Sequence, residues 1–392
     1  MDRARIHEGI RRMRFEDVLS RCERSELSQI EAAELLGISE RTFRRWRDRH
    51  RESGLEGLSD RRLAPSLRRA PVVEIERMLG LYRDLYRGFT VKHFHEQLVK
   101  RHNYVLCYTV TKLHLHRTGL VQQAKNRSAH RKKRPRRPMV GMMLHQDAST
   151  HAWLPGDPHQ YDLVVTMEDA TSALYSAFLV DEEGTASSFR GLREVVDKHG
   201  LFCSLYSDRG SHYFVTPEAG GKVSKTMLTQ VGRALSQLGI EHIAAYSPQA
   251  RGRSERVFHT LQDRLPKEFK LAGITTVEAA NTWLRDSFIA DHNARFAIQA
   301  EQTGSAFVPD RAGIGREILC VQEDRTVGQD NTVKWEGLSL QLPPSRLRPH
   351  FVRTTVKIHG YPDGSLAVFW GPHRLADYNA KGTLMVPQQR AA

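Results

Sequence analysis

Ser247-Pro248-Gln249-Ala250-Arg251-Gly252-Arg253-Ser254-Glu255-Arg256 is the stretch on which the fold turns. Pro248 and Gly252 break regular structure, so its first half reads as a loop. From Ser254 to about Leu265 the spacing predicts a helix, with Val257, Phe258, Leu261 and Leu265 in one apolar stripe. Glu255 falls at the edge of that stripe, on the side of His259 and Gln262. A carboxylate there looks across the core toward the end of a neighbouring sheet, and two upstream aspartates are placed to meet it. Asp147 lies at the end of the apolar run Met142-Met143-Leu144, and Asp208 follows Leu201–Tyr206 and leads into Arg209-Gly210. We read Asp147, Asp208 and Glu255 as one acidic triad that holds divalent metal ions.

Around the triad the pattern predicts strands over Met142–Asp147, Tyr161–Met167 and Ala173–Val180, the last two joined through Glu168-Asp169-Ala170-Thr171 as a hairpin. A helix follows over Thr185–His199, a strand over Phe202–Tyr206, a helix over Leu228–Leu238 and a strand over Ile240–Ala244. Three strands, then alternating helices and strands, describe a mixed sheet with helices on its faces, in the order of a ribonuclease-H-like α/β core. His145 shares a strand face with Asp147 and either orients a ligand or is a buried histidine.

Phosphodiester chemistry needs the attacking and leaving oxygens held in line and their charge neutralised, which two divalent ions about 3.5–4 Å apart accomplish. Magnesium takes oxygen ligands and keeps several waters, so a few carboxylates hold it. Asp147 on a central strand suits the bridging role, with Asp208 on one ion and Glu255 on the other. Each acid also has a plain structural explanation. Asp147 could cap a turn, Asp208 in Ser-Asp-Arg-Gly is a turn former, and Glu255 suits the dipole of a first helical turn. Their joint placement on this strand order favours the site.

Upstream, Phe15–Gly54 reads as three short helices. Ser28-Gln29-Ile30-Glu31 is a capping box opening the second, which is expected to turn Ile30, Ala33 and Leu36 inward, and Gly37 stops it. Ser39 caps the third, in which Phe43 and Trp46 point inward, and Leu36-Gly37-Ile38-Ser39 is the link of a helix-turn-helix. Arg41, Thr42, Arg44, Arg45 and Arg47 are its expected DNA contacts, Arg reaching guanine edges or phosphates in a major groove. A second, weaker module spans Val72–Tyr86, Val91–Lys100 and Tyr108–Thr118, with Tyr108, Thr109, Thr111 and Lys112 outward. Lys125–Pro138 reads as an extended basic linker whose Arg131, Lys132, Lys133 and Arg134 follow a phosphate backbone. Arg251 and Arg253 complete the set of DNA contacts. Beyond the core, Thr276–His292 reads as a helix with Ala279, Trp283 and Phe288 inward. Alternating stretches over Thr332–Trp335, Leu338–Leu342, Thr354–His359 and Leu366–Trp370 then predict a small five-stranded all-β barrel.

The expected domains are therefore 1–62, 70–122, the linker 123–138, the core 139–300 and the barrel 310–380. Composition agrees with that load. The 392 residues suggest roughly two to four domains. Lys and Arg exceed Asp and Glu by 59 − 45, a net charge of +14, which points to a polyanionic partner. Four scattered cysteines with no CxxC pair argue against a cysteine zinc site and for a reduced compartment. No apolar run approaches the ~18 residues of a membrane span, nor is there a signal core, so a cytoplasmic, nucleoid-associated protein is expected.

Tyr206-Ser207-Asp208-Arg209-Gly210-Ser211, Tyr246-Ser247-Pro248 and Gly252-Arg253-Ser254-Glu255-Arg256 resemble the second-Asp and Glu regions of DDE transposases with a retroviral-integrase-type core. His145-Gln146-Asp147-Ala148-Ser149 resembles the block with their first Asp. The helix-turn-helix, basic linker and long tail are similar to bacterial insertion-sequence transposases of the ISNCY group. The resemblance implies binding of double-stranded DNA at the terminal inverted repeats of an element and a homo-oligomer assembled on DNA. It further implies nicking of the ends and their joining to target DNA, with two Mg²⁺ ions for which Mn²⁺ can substitute. Two departures stand out. The Asp208–Glu255 segment is longer than in compact integrases, with a polar insertion around Thr216–Lys225, and helix-turn-helix modules replace the His/Cys zinc module. An inactive DNA-binding regulator and a nuclease without joining activity remain the alternatives.

Overall fold

Alternating apolar positions build a central sheet of five strands, β1 (Leu144–His151), β2 (Tyr161–Glu168), β3 (Leu174–Val180), β4 (Ser204–Ser207) and β5 (Glu241–Ala244), in the order β3-β2-β1-β4-β5. The first three pair antiparallel, while β4 and β5 join β1 in parallel. This is the ribonuclease-H-like order, with β1 at the centre. The computed structural model describes residues 3–59, 70–123, 134–218, 221–246 and 252–385. It divides into two compact units, Met1–Arg87 with Phe94–Gln122, and Gly88–His93 with Gln123–Ala392.

In the first unit, α1 (Arg3–Glu23), α2 (Gln29–Leu36) and α3 (Glu40–Ser53) close around Phe15, Val18, Leu19, Ala32, Ala33 and Phe43. The local signals act as read. Ser28 and Glu31 form the capping box, Gly37 ends α2 at φ +65°, and Ser39 accepts the amide of Thr42. Ile30 differs from expectation. It is 60% exposed, because Ala32 and Ala33 supply the buried face of so short a helix. A second group of helices follows, α4 (Val72–Asp84), α5 (Val91–His102) and α6 (Tyr108–Arg117). Met78, Leu79, Tyr82, Phe94, Leu98 and Leu115 are buried there.

In the second unit each sheet face has its own apolar cover. On one, α7 (Thr185–His199) and α8 (Gln230–Gln237) pack Phe189, Leu192, Val195 and Leu235 with Leu144 and Leu205. Gly191 permits this approach, since a Cβ there would stand 2.7 Å from Nε2 of Gln146. On the other, α9 (Gly252–Ala272) lays Phe258, Leu261, Leu265 and Phe269 against Trp153, Leu163 and Val165. Such fully buried side chains contribute roughly 1.5–3 kcal/mol each. The helix runs past Leu265 through Pro266, because Phe269 continues the buried stripe. The segment expected as one helix is α10 (Val277–Trp283), a π turn (Leu284–Phe288) and α11 (Ile289–Phe296), with Ala280 rather than Ala279 buried.

After α12 (Ile314–Ile318), the strands β6 (Val321–Thr326), β9 (Thr355–Gly360), β10 (Leu366–Trp370), β11 (His373–Tyr378) and β12 (Leu384–Met385) form an antiparallel sheet ordered β12-β11-β10-β9-β6. The hairpin β7 (Thr332–Trp335) and β8 (Leu338–Gln341) closes its core with Val333, Trp335 and Leu340. The all-β module is thus present. Among the described residues its hydrogen-bonded order runs from β12 to β6, with β7 and β8 as a separate ladder. No described helix is long and apolar enough to cross a membrane.

Candidate active site

The ladder between β1 and β4 sets the two aspartates. His145 pairs with Tyr206, so Asp147, midway along β1, and Asp208, just past the end of β4, each stand two residues on from that pair. Strands lie about 4.8 Å apart, and side chains two residues apart share a face. The rings of His145 and Tyr206, 5.1 Å apart, mark that common face. Asp147 is 8% exposed, and its Oδ1 accepts the amide of Ala148 at 3.1 Å. Oδ1 of Asp208 accepts the amide of Gly210 at 2.9 Å. Nearby, burial pushes the Tyr213 hydroxyl far above its usual range, and the charges of Glu183, Asp147 and Asp208 add to the effect.

Glu255 is exposed in the first turn of α9. Two bonds fix how α9 crosses β1. Near its start, Arg253 pairs with Asp169, which also accepts Nε2 of His145 at 2.7 Å. Further along, Nε2 of Gln262 donates to Oγ of Ser149 at 2.9 Å. Glu255 lies between Arg253 and Gln262 along α9, as Asp147 lies between His145 and Ser149 along β1. Among the described residues no three His, Cys, Asp or Glu side chains are gathered closely enough to hold an ion.

The support beneath the acids carries no sequence signal. Gln146, on the opposite face, donates to Thr166 Oγ1 and to the Ser188 carbonyl, both at 3.1 Å, and accepts the Tyr213 hydroxyl at 3.0 Å, tying β1 to β2 and α7. Asp169, expected in a hairpin turn, is fully buried. Burial alone would raise its pKa. The hydrogen bonds from His145 and the Arg137 amide, with the charges of His145 and Arg134, hold it well below the carboxylate range. Burial lowers the pKa of His145, while its bond to Asp169 acts the other way. His145 is thus the buried histidine of the two readings, 2% exposed.

Two expected DNA contacts are engaged inside the core. Arg134 gives Nη2 to Asp169 at 2.5 Å, and Arg253 gives its guanidinium to Asp169 and to the Arg134 carbonyl. Arg136 also folds onto this turn, donating to the Asp169 carbonyl at 2.8 Å. The end of the basic run is therefore anchored rather than extended. Arg131, Lys132, Lys133 and Arg251 lie outside the described residues.

On α3, Arg41, Arg44 and Arg45 are exposed and, with Arg49, Asp48 and Glu52, line one face with four arginines and two acids. Arg44 lies 3.4 Å from Glu40, Arg47 bonds Asp48 at 3.0 Å, and Thr42 serves the cap with Ser39. On α6, Thr109 and Lys112 are exposed and Tyr108 is half-buried. Thr111 is fully buried against Nδ1 of His95 at 3.1 Å and cannot face DNA, because α6 turns that position toward α5.

Residues 11–59 match the Homeodomain-like domain family. The y4bF protein of Sinorhizobium fredii (strain NBRC 101917 / NGR234), described as a transposase, is 31% identical over 369 residues, covering 92% of this chain and 79% of that protein. The transposase for insertion sequence IS1202 of Streptococcus pneumoniae is 33% identical over 163 residues, 42% of this chain and 34% of its own length. Among solved structures, the HTLV-2 integrase catalytic core domain in complex with magnesium has 14% identity and a TM-score of 0.29, covering 38% of this chain and 88% of its own. The simian T-cell lymphotropic virus intasome in complex with PP2A regulatory subunit B56 gamma has 13% identity and a TM-score of 0.33, covering 72% and 93%. Carrying a homeodomain-like helix-turn-helix domain and 31% identical to a transposase over 92% of its length, the chain belongs to the transposases.

Proposed function

We propose that this transposase binds the terminal inverted repeats of its element and performs metal-dependent end cleavage and strand transfer at Asp147, Asp208 and Glu255. What supports the reading is the register that sets Asp147 on β1 beside Asp208 just after β4, with α9, which carries Glu255 in its first turn, tied to β1 through Gln262. The donors are all carboxylate oxygens, the chemistry that hard divalent cations such as Mg²⁺ or Mn²⁺ prefer. Bound there, two such ions would neutralise the charge on the attacking and leaving oxygens. The protein's own part is rigidity. Gln146 and the central ladder fix Asp147, the turn at Gly210 fixes Asp208, and Gln262 and Arg253 fix the helix of Glu255.

Recognition belongs to the N-terminal helices in this reading. Arg41, Arg44 and Arg45 reach base edges or phosphates, Thr109, Lys112 and Tyr108 extend the contact, and Arg131, Lys132, Lys133 and Arg251 follow the backbone. The protein would act as a homo-oligomer on DNA in the bacterial cytoplasm, associated with the nucleoid, and its domains would divide as 1–62, 70–122, 139–300 and 310–380.

The test is Glu255→Gln, which keeps shape and helix propensity and removes the charge. Beside wild type, it is assayed for binding, cleavage and strand transfer on labelled duplex carrying the repeats that flank the gene, with Mg²⁺ or Mn²⁺. End binding should be unchanged and both reactions slowed by about 10²-fold or more. Near-normal cleavage by the variant removes Glu255 from the site. Wild-type cleavage without joining selects the nuclease, and binding without either reaction selects the regulator.

A further inference from the structure

Asp169 gathers three segments on one carboxylate. Its Oδ1 accepts Nη2 of Arg134 at 2.5 Å, Nε2 of His145 at 2.7 Å and Nη1 of Arg253, and its Oδ2 accepts the amide of Arg137 at 2.7 Å. Arg253 also donates Nη2 to the Arg134 carbonyl at 2.6 Å. His145 stands two residues before Asp147 on β1, and Arg253 two residues before Glu255 on α9. Arg134 belongs to the basic run Lys125–Pro138. Yet Asp169 itself lies in the turn just after β2 and has no place among the acids proposed to act on DNA.

We propose that Asp169 is a positioning residue, which through Arg253 clamps the first turn of α9, and hence Glu255, against β1. The inference rests on Glu255 belonging to the active site. The physical case has two parts. The first four amides of a helix lack partners within it, so a first turn is the part of a helix most in need of an outside tie. A buried carboxylate receiving two guanidinium groups supplies a strong, directional one, since charge-assisted bonds are about twice as strong as neutral ones. Gln262, two turns further on, fixes the body of the helix but not its start. Because the clamp shares Arg134, the basic segment and Glu255 are held by the same oxygen.

Removing Asp169 itself would leave two guanidinium groups facing a buried site and would destabilise the core along with the clamp. Arg253→Met is the cleaner variant, because Asp169 keeps Arg134, His145 and the Arg137 amide. Hydrogen exchange is measured on the full chain without DNA, which separates the clamp from any direct contact of Arg253 with phosphate. Peptides over the first two turns of α9 should exchange about tenfold faster or more, the effect of removing one charge-assisted bond, while β1 and β2 stay as in wild type. Arg253→Lys, with the charge but not the fork, should fall between. On repeat-bearing duplex, the Mn²⁺ concentration for half-maximal cleavage should rise about tenfold in Arg253→Met, with a smaller change at saturating Mn²⁺, as a misplaced ligand predicts. Wild-type exchange in α9 of the variant overturns the clamp. So does an unchanged Mn²⁺ requirement while the wild type cleaves normally. A wild-type chain with no Mn²⁺-dependent cleavage sinks the acidic-site reading, and this proposal with it, whatever α9 does.

Discussion

Strand β3 is the edge of the central sheet, and two asparagines cover it. The side chain of Asn281 accepts the Leu179 amide at 2.6 Å and donates to the Leu179 carbonyl at 2.9 Å. Asn293 repeats the arrangement on Leu174, at 2.7 and 2.8 Å. Both leucines are 1% exposed, so water has poor access to the groups that either asparagine would abandon. Asn281→Ala or Asn293→Ala orphans one buried N–H and one buried C=O. At about 1–3 kcal/mol per group, softened by some water entry at a sheet edge, each substitution should cost about 2–4 kcal/mol. The two sites are five residues apart on β3, about 16 Å, so their effects should add to within about 0.5 kcal/mol. The double variant would then forfeit a large part of the roughly 5–15 kcal/mol by which domains are stable. Urea unfolding followed by circular dichroism gives the size of the effect, and hydrogen exchange over β3 locates it. A cost below about 0.5 kcal/mol for both single variants, with β3 protection intact, refutes the edge-cover argument.

Two further outcomes follow from named groups. The double variant Arg44→Ala, Arg45→Ala removes two exposed guanidinium groups of α3 and should weaken end binding by about 1–3 kcal/mol for each arginine that bonds a base edge, read by gel shift against unrelated duplex. Acid should destabilise the core. Burial, with the charge of His212, pushes His242 down to about 4, and burial, with Arg264 and Arg295, does the same to His292. Unfolded, each titrates near 6.5, so between about pH 6.5 and 4 the unfolded chain binds more protons and stability falls as pH falls. Near pH 5.5 the slope should approach about 1.4 kcal/mol per pH unit for each histidine, and His242→Gln should flatten it by about half. A urea midpoint independent of pH across that window would show that neither ring is held neutral.

What the sequence determined by itself is local. The capping box of Ser28 and Glu31, the left-handed Gly37 and the cap at Ser39 each act on a partner no more than four residues away, so the helix-turn-helix is legible before any packing is known. The strand order is legible for a related reason, since alternation and helical spacing over Leu144–Ala244 leave few ways to bury every apolar face. Tertiary structure alone decided where polar groups find partners. Asp169 meets Arg253 across 84 positions, and the asparagines of α10 and α11 meet β3 across 102 and 119. No spacing rule reaches that far. A polar residue looks the same in sequence whether it faces water or is buried with a partner, so Thr111, Arg134 and Arg253 read as DNA contacts, and nothing marks the Asp169 of the hairpin turn as buried. The setting of Asp147 beside Asp208 likewise exists only in the register of β1 on β4, because one residue of slip would turn either carboxylate to the opposite face.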